Sequence, residues 1–316
     1  MTSQTLRQCG IAAPIDVISE DLLQNIVARL PATSFASAAC VSRSWKVVCD
    51  RVLSRPKFAS ACSLNRSLEN AVEEVVNKVL SKPIRPHFAI ASIGGYYGDV
   101  LREAHHLITA ALGTNIPVIT NHTCGIIERN ATSHRSYDVE WYFRDHEIDA
   151  IMLIVGFLPG LKVTILPLLN QIQEPEALMI DEFVTDIREF STSVSGCNSP
   201  AAIIVFGDHY YSCMRDVIEK LDYAMSPETV IVGDALSKFR CTSDAEFGTS
   251  AAVALVFAVD RNKPPGIGET QFHAVLSSGL SPVGHTPHLL LRKLVFLLIL
   301  LQEEKGRLRI LMLKLF

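Results

Sequence analysis

Charged and aromatic residues are both scarce in this chain of 316 residues. Asp, Glu, Lys and Arg make up 20% of it and Phe, Trp and Tyr 7%, whereas 48% is hydrophobic. So little charge excludes a largely disordered scaffold, and the net charge of -4 excludes the basic surface of a typical nucleic-acid-binding protein. We therefore expect compact folded material and no nucleic-acid partner.

The sequence also lacks the patterns of secretion, metal binding and membrane insertion. Its eight cysteines form no Cys-x-x-Cys pair and no zinc-like group with histidine. The first 21 residues contain no continuous apolar stretch, so no secretory signal is predicted. The apolar run at 294–301 has only eight residues, against about 20 in a membrane span, although a helix lying in the membrane interface remains an alternative. We expect free thiols, no cofactor, no membrane span and a cytoplasmic or nuclear location.

No local motif for catalysis is present either. There is no Gly-x-Ser-x-Gly elbow, no Gly-x-Gly-x-x-Gly and no Walker lysine, and Gly94-Gly95-Tyr-Tyr-Gly98 is typical of a plain turn between a strand and a helix. Several histidines and one cysteine could act as acids, bases or metal ligands, but their spacing identifies no convergent partner. The sequence therefore predicts no catalytic residue and no metal site. The side chains considered as acids, bases or metal ligands are His105, His106, His122 with Cys124, Asp208 with His209, and His285 with His288.

Residues 18–45 carry the most informative pattern in the chain. Apolar residues from Leu22 to Leu30 recur at helical spacing, Ser19 can cap that helix, and Pro31 ends it. A second short helix can start at Thr33 or Ser34, and a third can be capped by Ser42. A unit of about 35 residues buries too little apolar surface to be stable alone, so these helices are expected to pack against more protein.

The same residues resemble the F-box family, whose pattern runs Leu-Pro-x-Glu-Leu, Ile-Leu, Leu-Pro and Val-Cys-x-x-Trp. The match has no gap, and its two departures, Ser19 for the first proline and Ser42 for the cysteine, are good helix caps. The resemblance implies binding to Skp1 and, through it, membership of a cullin-RING ubiquitin ligase as the subunit that recruits a protein substrate. It implies that the Skp1-binding residues are Leu22, Leu23, Ile26, Leu30, Pro31, Val41 and Trp45. A generic helical cap on a larger domain is the alternative.

Beyond this module, strand and helix patterns alternate. Ser67 can cap an amphipathic helix that ends before Pro83, and the two prolines at 83 and 86 mark a domain boundary. Two strand-helix-strand units follow, at about 87–120 and 201–232, and further strands are expected at 149–155, 250–259 and 272–276. Shifting the first unit by 113 positions superposes Gly94 on Gly207 and suggests an internal duplication. The expected class is α+β, with a three-helix module followed by a mixed α/β domain.

Residues 86–284 resemble the N-terminal part of a FIST domain, a sensor-like module that accompanies F-boxes in one family. The stretches that carry this resemblance are FAIASIGG, VITNHTCGII, DAIMLIVGFLPG, TVIVGDALS and GTSAAVALVFAVDRNKPPGIGE. It implies that the domain binds a degradation substrate or senses a small ligand. A full FIST domain would continue further, so the Leu-rich basic tail at 285–316 suggests a truncated or alternatively spliced product. The expected organisation is a mobile leader at 1–14, an F-box at 15–60, a helical linker at 61–85, the FIST-like domain at 86–284 and the tail.

Two other functions stay open on the sequence alone. An α/β enzyme could bind a cofactor at strand ends near Gly94 or Gly207, with the helices merely capping it. A small-molecule sensor without any ubiquitin role is the second alternative. Of the three, the non-catalytic adaptor of a ubiquitin ligase is the expected function, because only the F-box pattern points to a partner.

Overall fold

Three helices begin the described part of the chain, and two mixed β-sheets with their helices follow. The computed structural model describes residues 18–94, 100–123, 125–129, 133, 136–140, 149–169, 177–208, 214–234, 238–242, 250–276, 295–302 and 308–315. The predicted α+β class is therefore confirmed. The leader expected at 1–14 lies outside the described residues.

After the first three helices, strands and helices alternate in two stretches, at residues 57–122 and 161–234, each followed by further strands. The helices are α1 (Glu20–Val27), α2 (Ala32–Ala39), α3 (Arg43–Val52), α4 (Leu68–Val79), α5 (Leu101–Leu112), α6 (Ala177–Ser195) and α7 (Met214–Ala224). The strands are β1 (Lys57–Ser63), β2 (Phe88–Gly94), β3 (Val118–His122), β4 (Gly125–Arg129), β5 (Ser136–Glu140), β6 (Ala150–Phe157), β7 (Leu161–Leu169), β8 (Ala202–Gly207), β9 (Val230–Asp234), β10 (Phe239–Cys241), β11 (Ser250–Val259), β12 (Thr270–Leu276), β13 (Val295–Gln302) and β14 (Leu308–Leu315).

Each of the first three helices begins directly after a serine or a proline at the N-cap position. The Leu22 amide donates to Ser19 Oγ at 3.4 Å and the Trp45 amide to Ser42 Oγ at 3.2 Å, so both predicted serine caps are present. The second helix begins earlier than expected, directly after Pro31, which stands at its N-cap in an extended conformation. Proline has no N–H to leave unsatisfied at a helix start, which makes this position suitable for it.

A small core holds the three-helix module together. Its buried members come from all three helices, and Ile18, Leu30 and Trp45 pack against them partly buried. An ion pair between Arg51 and Glu20 at 3.0 Å also joins the end of α3 to the start of α1, but both side chains are about half exposed, so it contributes little. The buried members of this core are Leu23, Val27, Phe35, Ala38, Val48 and Cys49.

Apart from β4 and β5, the strands from β1 to β11 form two sheets, with strand orders β1-β6-β2-β3-β10 and β7-β11-β8-β9. In each sheet one pair is parallel, β2 with β3 and β8 with β9, and the neighbouring pairs are antiparallel. Side chains alternate between the two faces of a strand, and here both faces are covered. Such burial explains why the strands read as almost continuous apolar runs.

The two sheets pack face to face, with helices on the outside. One core joins their inner faces and includes Phe88 and Ile154 of the first sheet with Ile204 and Phe257 of the second. A second core joins the first sheet to α4 and α5, and a third joins the second sheet to α6 and α7. The arrangement is a four-layer sandwich in which two sheets lie between two helical layers.

The two halves of this sandwich share one topology. Each runs strand, helix, strand, helix, strand and later a returning strand that inserts between the first two, as β1-α4-β2-α5-β3-β6 and β7-α6-β8-α7-β9-β11. The predicted 113-residue offset matches the buried face of the helix in each unit, since Leu101, Ala104 and Ile108 of α5 correspond to the buried Met214, Val217 and Leu221 of α7. It also matches the second strands, because Ile119 of β3 and Val232 of β9 both face the core between the sheets. It fails in the first strands, β2 and β8. Ile90 faces the core between the sheets, whereas Ile203, its counterpart at that offset, faces the outer helices.

The segment expected to be a helical linker, residues 61–85, is part of the sandwich. Strand β1 was not predicted from the sequence, yet it forms an edge of the first sheet by pairing with β6 along its whole length. Helix α4 lies where the sequence placed it, and its buried face belongs to the core of the outer layer. The first sheet of the described structure thus includes β1, which precedes the two prolines in the sequence.

Smaller elements complete the described structure. Strands β4 and β5 form a hairpin, and β12, β13 and β14 form a separate three-stranded sheet. The described parts of the tail are thus strands and not the interfacial helix considered from the sequence. Among the described helices, none is long and apolar enough to cross a membrane.

Candidate protein-binding surface

The three-helix module exposes large apolar side chains that the rest of the described chain does not cover. Leu22 is 53% exposed, Ile26 42%, Val41 57% and Val47 55%, and Pro31 is exposed beside them in sequence. Single exposed apolar residues are ordinary on protein surfaces, but so many within one short module are typical of a surface that binds another protein. We call these five residues the exposed apolar set.

Helical geometry explains why two apolar side chains of α1 are buried and two are exposed. Leu22 and Ile26 are four residues apart and lie on one face, whereas Leu23 and Val27, shifted by one position, lie on the face that packs into the module core. Leu23 is only 6% exposed. Leu23 therefore packs α1 onto the module core and leaves almost no surface for a partner to contact.

The other residues implied by the F-box resemblance are spread between surface and core. Pro31 and Val41 are exposed, while Leu30 and Trp45 are partly buried against the module core. Val47 was missed by the sequence reasoning. The signal was available, because α3 builds its core face from Trp45, Val48, Cys49 and Val52, which leaves Val47 as an apolar residue off that face.

Two charged or titratable features of the module lie on helix α3. Lys46 and Asp50 form an exposed i,i+4 pair at 3.0 Å, which is worth little in stability. Burial, together with the negative charge of Asp50, raises the pKa of the Cys49 thiol. A thiol held in its protonated form is a poor nucleophile, so Cys49 has the character of a core residue.

The histidines considered from the sequence do not converge in the described part of the structure. His105 Nδ1 lies 3.0 Å from Thr120 Oγ1, which fixes the ring between α5 and β3. The His122 amide donates to the Lys238 carbonyl at 2.8 Å, as part of the pairing of β3 with the chain around β10. Among the described residues no group of three or more His, Cys, Asp or Glu side chains could hold a metal ion. His106 lies on α5 next to His105, and the Asp208 amide donates to the Ala251 carbonyl at 2.9 Å. The other candidates lie outside the described residues, as do Gly95 and Gly98; they are Cys124, His209, His285 and His288.

One histidine that was not singled out from the sequence is held neutral in the sandwich. His87 packs its ring against Phe157, with 4.4 Å between centroids, and its Nδ1 accepts from the Leu158 amide at 3.4 Å. Burial, followed by the positive charge of Arg85, lowers the pKa of His87 to about 4. Protonating this ring therefore opposes folding.

We expect this histidine to make the sandwich less stable in acid. Its pKa is 6.5 in the unfolded chain and about 4 in the fold, so its contribution is intact above pH 6.5 and is lost as the pH falls toward 4, by at most about 3 kcal/mol. His87→Asn keeps an acceptor near the Nδ1 position and cannot titrate. Urea unfolding of both proteins at about pH 7 and about pH 5 should show a smaller acid loss for the variant. Equal losses in the two proteins would contradict the assignment.

Comparison with known proteins agrees with the geometry of the helical module. Residues 15–57 match the F-box domain family. F-box/LRR-repeat protein At5g63520 of Arabidopsis thaliana is 41% identical over 285 residues, which is 85% of this chain and 53% of that protein. The chain thus spans about half the length of the relative that it matches. The expected F-box is confirmed by this match, while neither comparison shows the FIST-like domain. Residues 15–57 of this chain are an F-box domain, and most of the chain is homologous to an F-box/LRR-repeat protein.

Proposed function

We propose that this chain is the substrate-receptor subunit of an SCF-type ubiquitin ligase. Its F-box binds Skp1 and through Skp1 joins a cullin-RING ligase. The observation that carries the proposal is the exposed apolar set on an F-box that is otherwise folded around its own core. Leaving this much apolar surface in water is unfavourable unless a partner covers it.

Within the F-box we assign the direct contacts to Leu22, Ile26, Pro31, Val41 and Val47. Leu30 and Trp45 are partly buried and contribute the edges that they leave exposed. Leu23 acts indirectly by holding α1 in place. Protein interfaces depend on a few anchoring side chains, so this short set is sufficient to account for a specific partner.

The sandwich behind the F-box is the part that recruits a protein substrate or senses a small ligand, as the FIST resemblance implies. The described core of the sandwich is apolar, and its inner faces are filled by side chains from both sheets. Such a scaffold leaves specificity to its surface and to its connecting segments. The adaptor supplies surfaces and no reactive group, so we propose no catalytic activity for it. Its place is the cytoplasm or the nucleus, where the ligase acts.

The Leu-Pro step between α1 and α2 provides a first test of Skp1 binding. Leu30→Ala combined with Pro31→Ala should weaken capture of purified Skp1 severely, because the double variant removes apolar surface at the start of α2. The circular dichroism of the sandwich should stay unchanged, since its sheets do not include either residue. Undiminished capture of Skp1 by this folded double variant would rule out the assigned interface.

A further inference from the structure

The F-box and the sandwich meet at a joint between the start of α2 and the end of α4. The Ala32 amide donates to the Leu80 carbonyl at 2.9 Å. Ala32 is the first residue of α2, and Leu80 is the C-cap of α4. The first amides and the last carbonyls of a helix have no hydrogen-bond partner within that helix. The Ala32–Leu80 bond therefore gives a partner both to an amide at the start of α2 and to a carbonyl at the end of α4.

The electrostatic arrangement of this joint is favourable as well. A helix start carries partial positive charge and a helix end partial negative charge. The joint places the start of α2 against the end of α4, so opposite partial charges meet. The hydrogen bond and this attraction act between the same two helix ends and therefore fix their relative position.

Apolar packing continues across the joint. Leu53, the residue after α3, packs against the core of the F-box and also against the core that joins α4 to the first sheet. Ala32 packs against that second core too. The connection from α3 to β1 spans only residues 53–56, and its Ser54 amide and hydroxyl both bond to the Arg51 carbonyl, at 3.3 and 2.8 Å. A connection this short and this well bonded leaves little freedom for a hinge.

We propose that the F-box and the sandwich form one rigid unit, locked by the Ala32–Leu80 hydrogen bond and by Leu53. Domains that share small polar interfaces normally move relative to each other, whereas here two cores share a residue and two helix ends cap each other. If Skp1 binds the F-box as proposed above, the sandwich is carried in a fixed orientation toward the ligase. Pro31, a member of the exposed apolar set, lies next to Ala32, so the partner would bind directly beside the joint.

The substitution Ala32→Pro tests the lock with little other disturbance. Proline is well accepted at the first position of a helix, and the residue before it, Pro31, already has the extended backbone (φ -59°, ψ 156°) that a following proline requires. The substitution therefore removes the amide that bonds to Leu80 and leaves α2 intact. Ala32→Ser, which keeps the amide, is the matched control. Leu53→Ala is an independent test, because it removes the side chain that packs against both cores and leaves the hydrogen bond in place.

Distances between two native thiols report the orientation directly. Cys40 in the F-box and Cys197 after α6 are exposed, whereas Cys49, Cys62 and Cys241 are buried. With the remaining cysteines Cys9, Cys124 and Cys213 replaced by serine, spin labels on Cys40 and Cys197 give one distance distribution. We expect a single narrow peak for this protein and for Ala32→Ser, and a broader distribution for Ala32→Pro and for Leu53→Ala.

Unfolding supplies a second measurement on the free protein. With Trp141 replaced by phenylalanine, the fluorescence of Trp45 reports the F-box alone, while circular dichroism reports the whole chain. The two transitions should coincide when the lock is intact, and the Trp45 transition should move to lower denaturant in Ala32→Pro. A broad distance distribution before any substitution, or narrow peaks and coincident transitions in both lock variants, would overturn the proposal. Failure to bind Skp1 would overturn the proposed function but would leave the distance peak narrow.

Discussion

Replacing Ile26 with aspartate is expected to weaken Skp1 binding by at least about 100-fold, because a central apolar anchor is worth about 2 kcal/mol or more and a buried unpaired carboxylate adds a further cost. Ile26 is 42% exposed in the free chain, on the outward face of α1 together with Leu22. The F-box core does not include it, so the fold should tolerate the charge. Titration of purified Skp1 against the labelled chain measures the effect.

The sandwich offers a closely matched control for this substitution. Ile218 in α7 is also 42% exposed, so Ile218→Asp places the same charge at the same exposure on a helix outside the F-box. This control should bind Skp1 as the unsubstituted chain does. Equal binding by the Ile26 and Ile218 variants would show that the outward face of α1 is not the Skp1 surface. The Ile26 variant is cleaner than the Leu30 and Pro31 double variant, because Pro31 adjoins the joint with the sandwich.

The sequence identified α1 and its apolar residues but could not decide which of them face the core. Leu22 with Ile26 and Leu23 with Val27 both have i,i+4 spacing, and the two pairs lie on adjacent faces of the same short helix. Periodicity alone therefore allows either pair to be buried. The decision comes from α2 and α3, whose Phe35 and Val48 pack with Leu23 and Val27. Contacts between helices of this kind cannot be predicted from the spacing of apolar residues within one helix.

Strand β1 shows a second limit of sequence reasoning. Its residues, KFASACS, include alanines and serines that have no strong strand preference, and its partner β6 lies almost a hundred residues further along the chain. Pairing with β6 and cover from α4 are what make this segment a strand. By contrast, β2, β6, β8 and β11 are buried on both faces, and their long apolar runs were recognised as strands.

The repeated topology was indicated by the sequence, and the residue pairing was right for α5 with α7 and for β3 with β9 but not for β2 with β8. Both strand-helix-strand units were predicted, and glycines at their strand ends suggested an offset of 113 residues. Side chains alternate between the two faces of a strand, and the faces of β2 and β8 match only at an even offset. The odd offset of 113 therefore pairs inward-facing residues of β2 with outward-facing residues of β8. Only the burial of Ile90 and Ile203 on different faces reveals the mismatch. Short identities such as glycines are therefore weaker guides to register than the pattern of burial.

The centre of the sandwich contains the residue whose loss should destabilise the fold most. Phe88 on β2 is fully buried and lies against Phe257 on β11, with ring centroids 5.1 Å apart and an interplanar angle of 86°. It also meets Phe58 edge to face at 6.0 Å. Its ring covers Gly156, its partner across the pair of strands β2 and β6, where even a methyl group would collide with it. Phe88 thus joins both sheets and fills the space that Gly156 leaves.

Phe88→Ala should therefore lower the free energy of unfolding by about 3–5 kcal/mol, because it removes apolar contact with both sheets and leaves a cavity that the rigid strands cannot close. Phe88→Leu retains most of the apolar volume and should cost clearly less, which separates loss of packing from loss of the aromatic ring. Urea unfolding at neutral pH measures both values. A loss from the alanine variant no larger than from the leucine variant would mean that Phe88 does not bridge the sheets. Since domains of this size are stable by only about 5–15 kcal/mol, a full loss would leave the sandwich, and the F-box locked to it, close to unfolding.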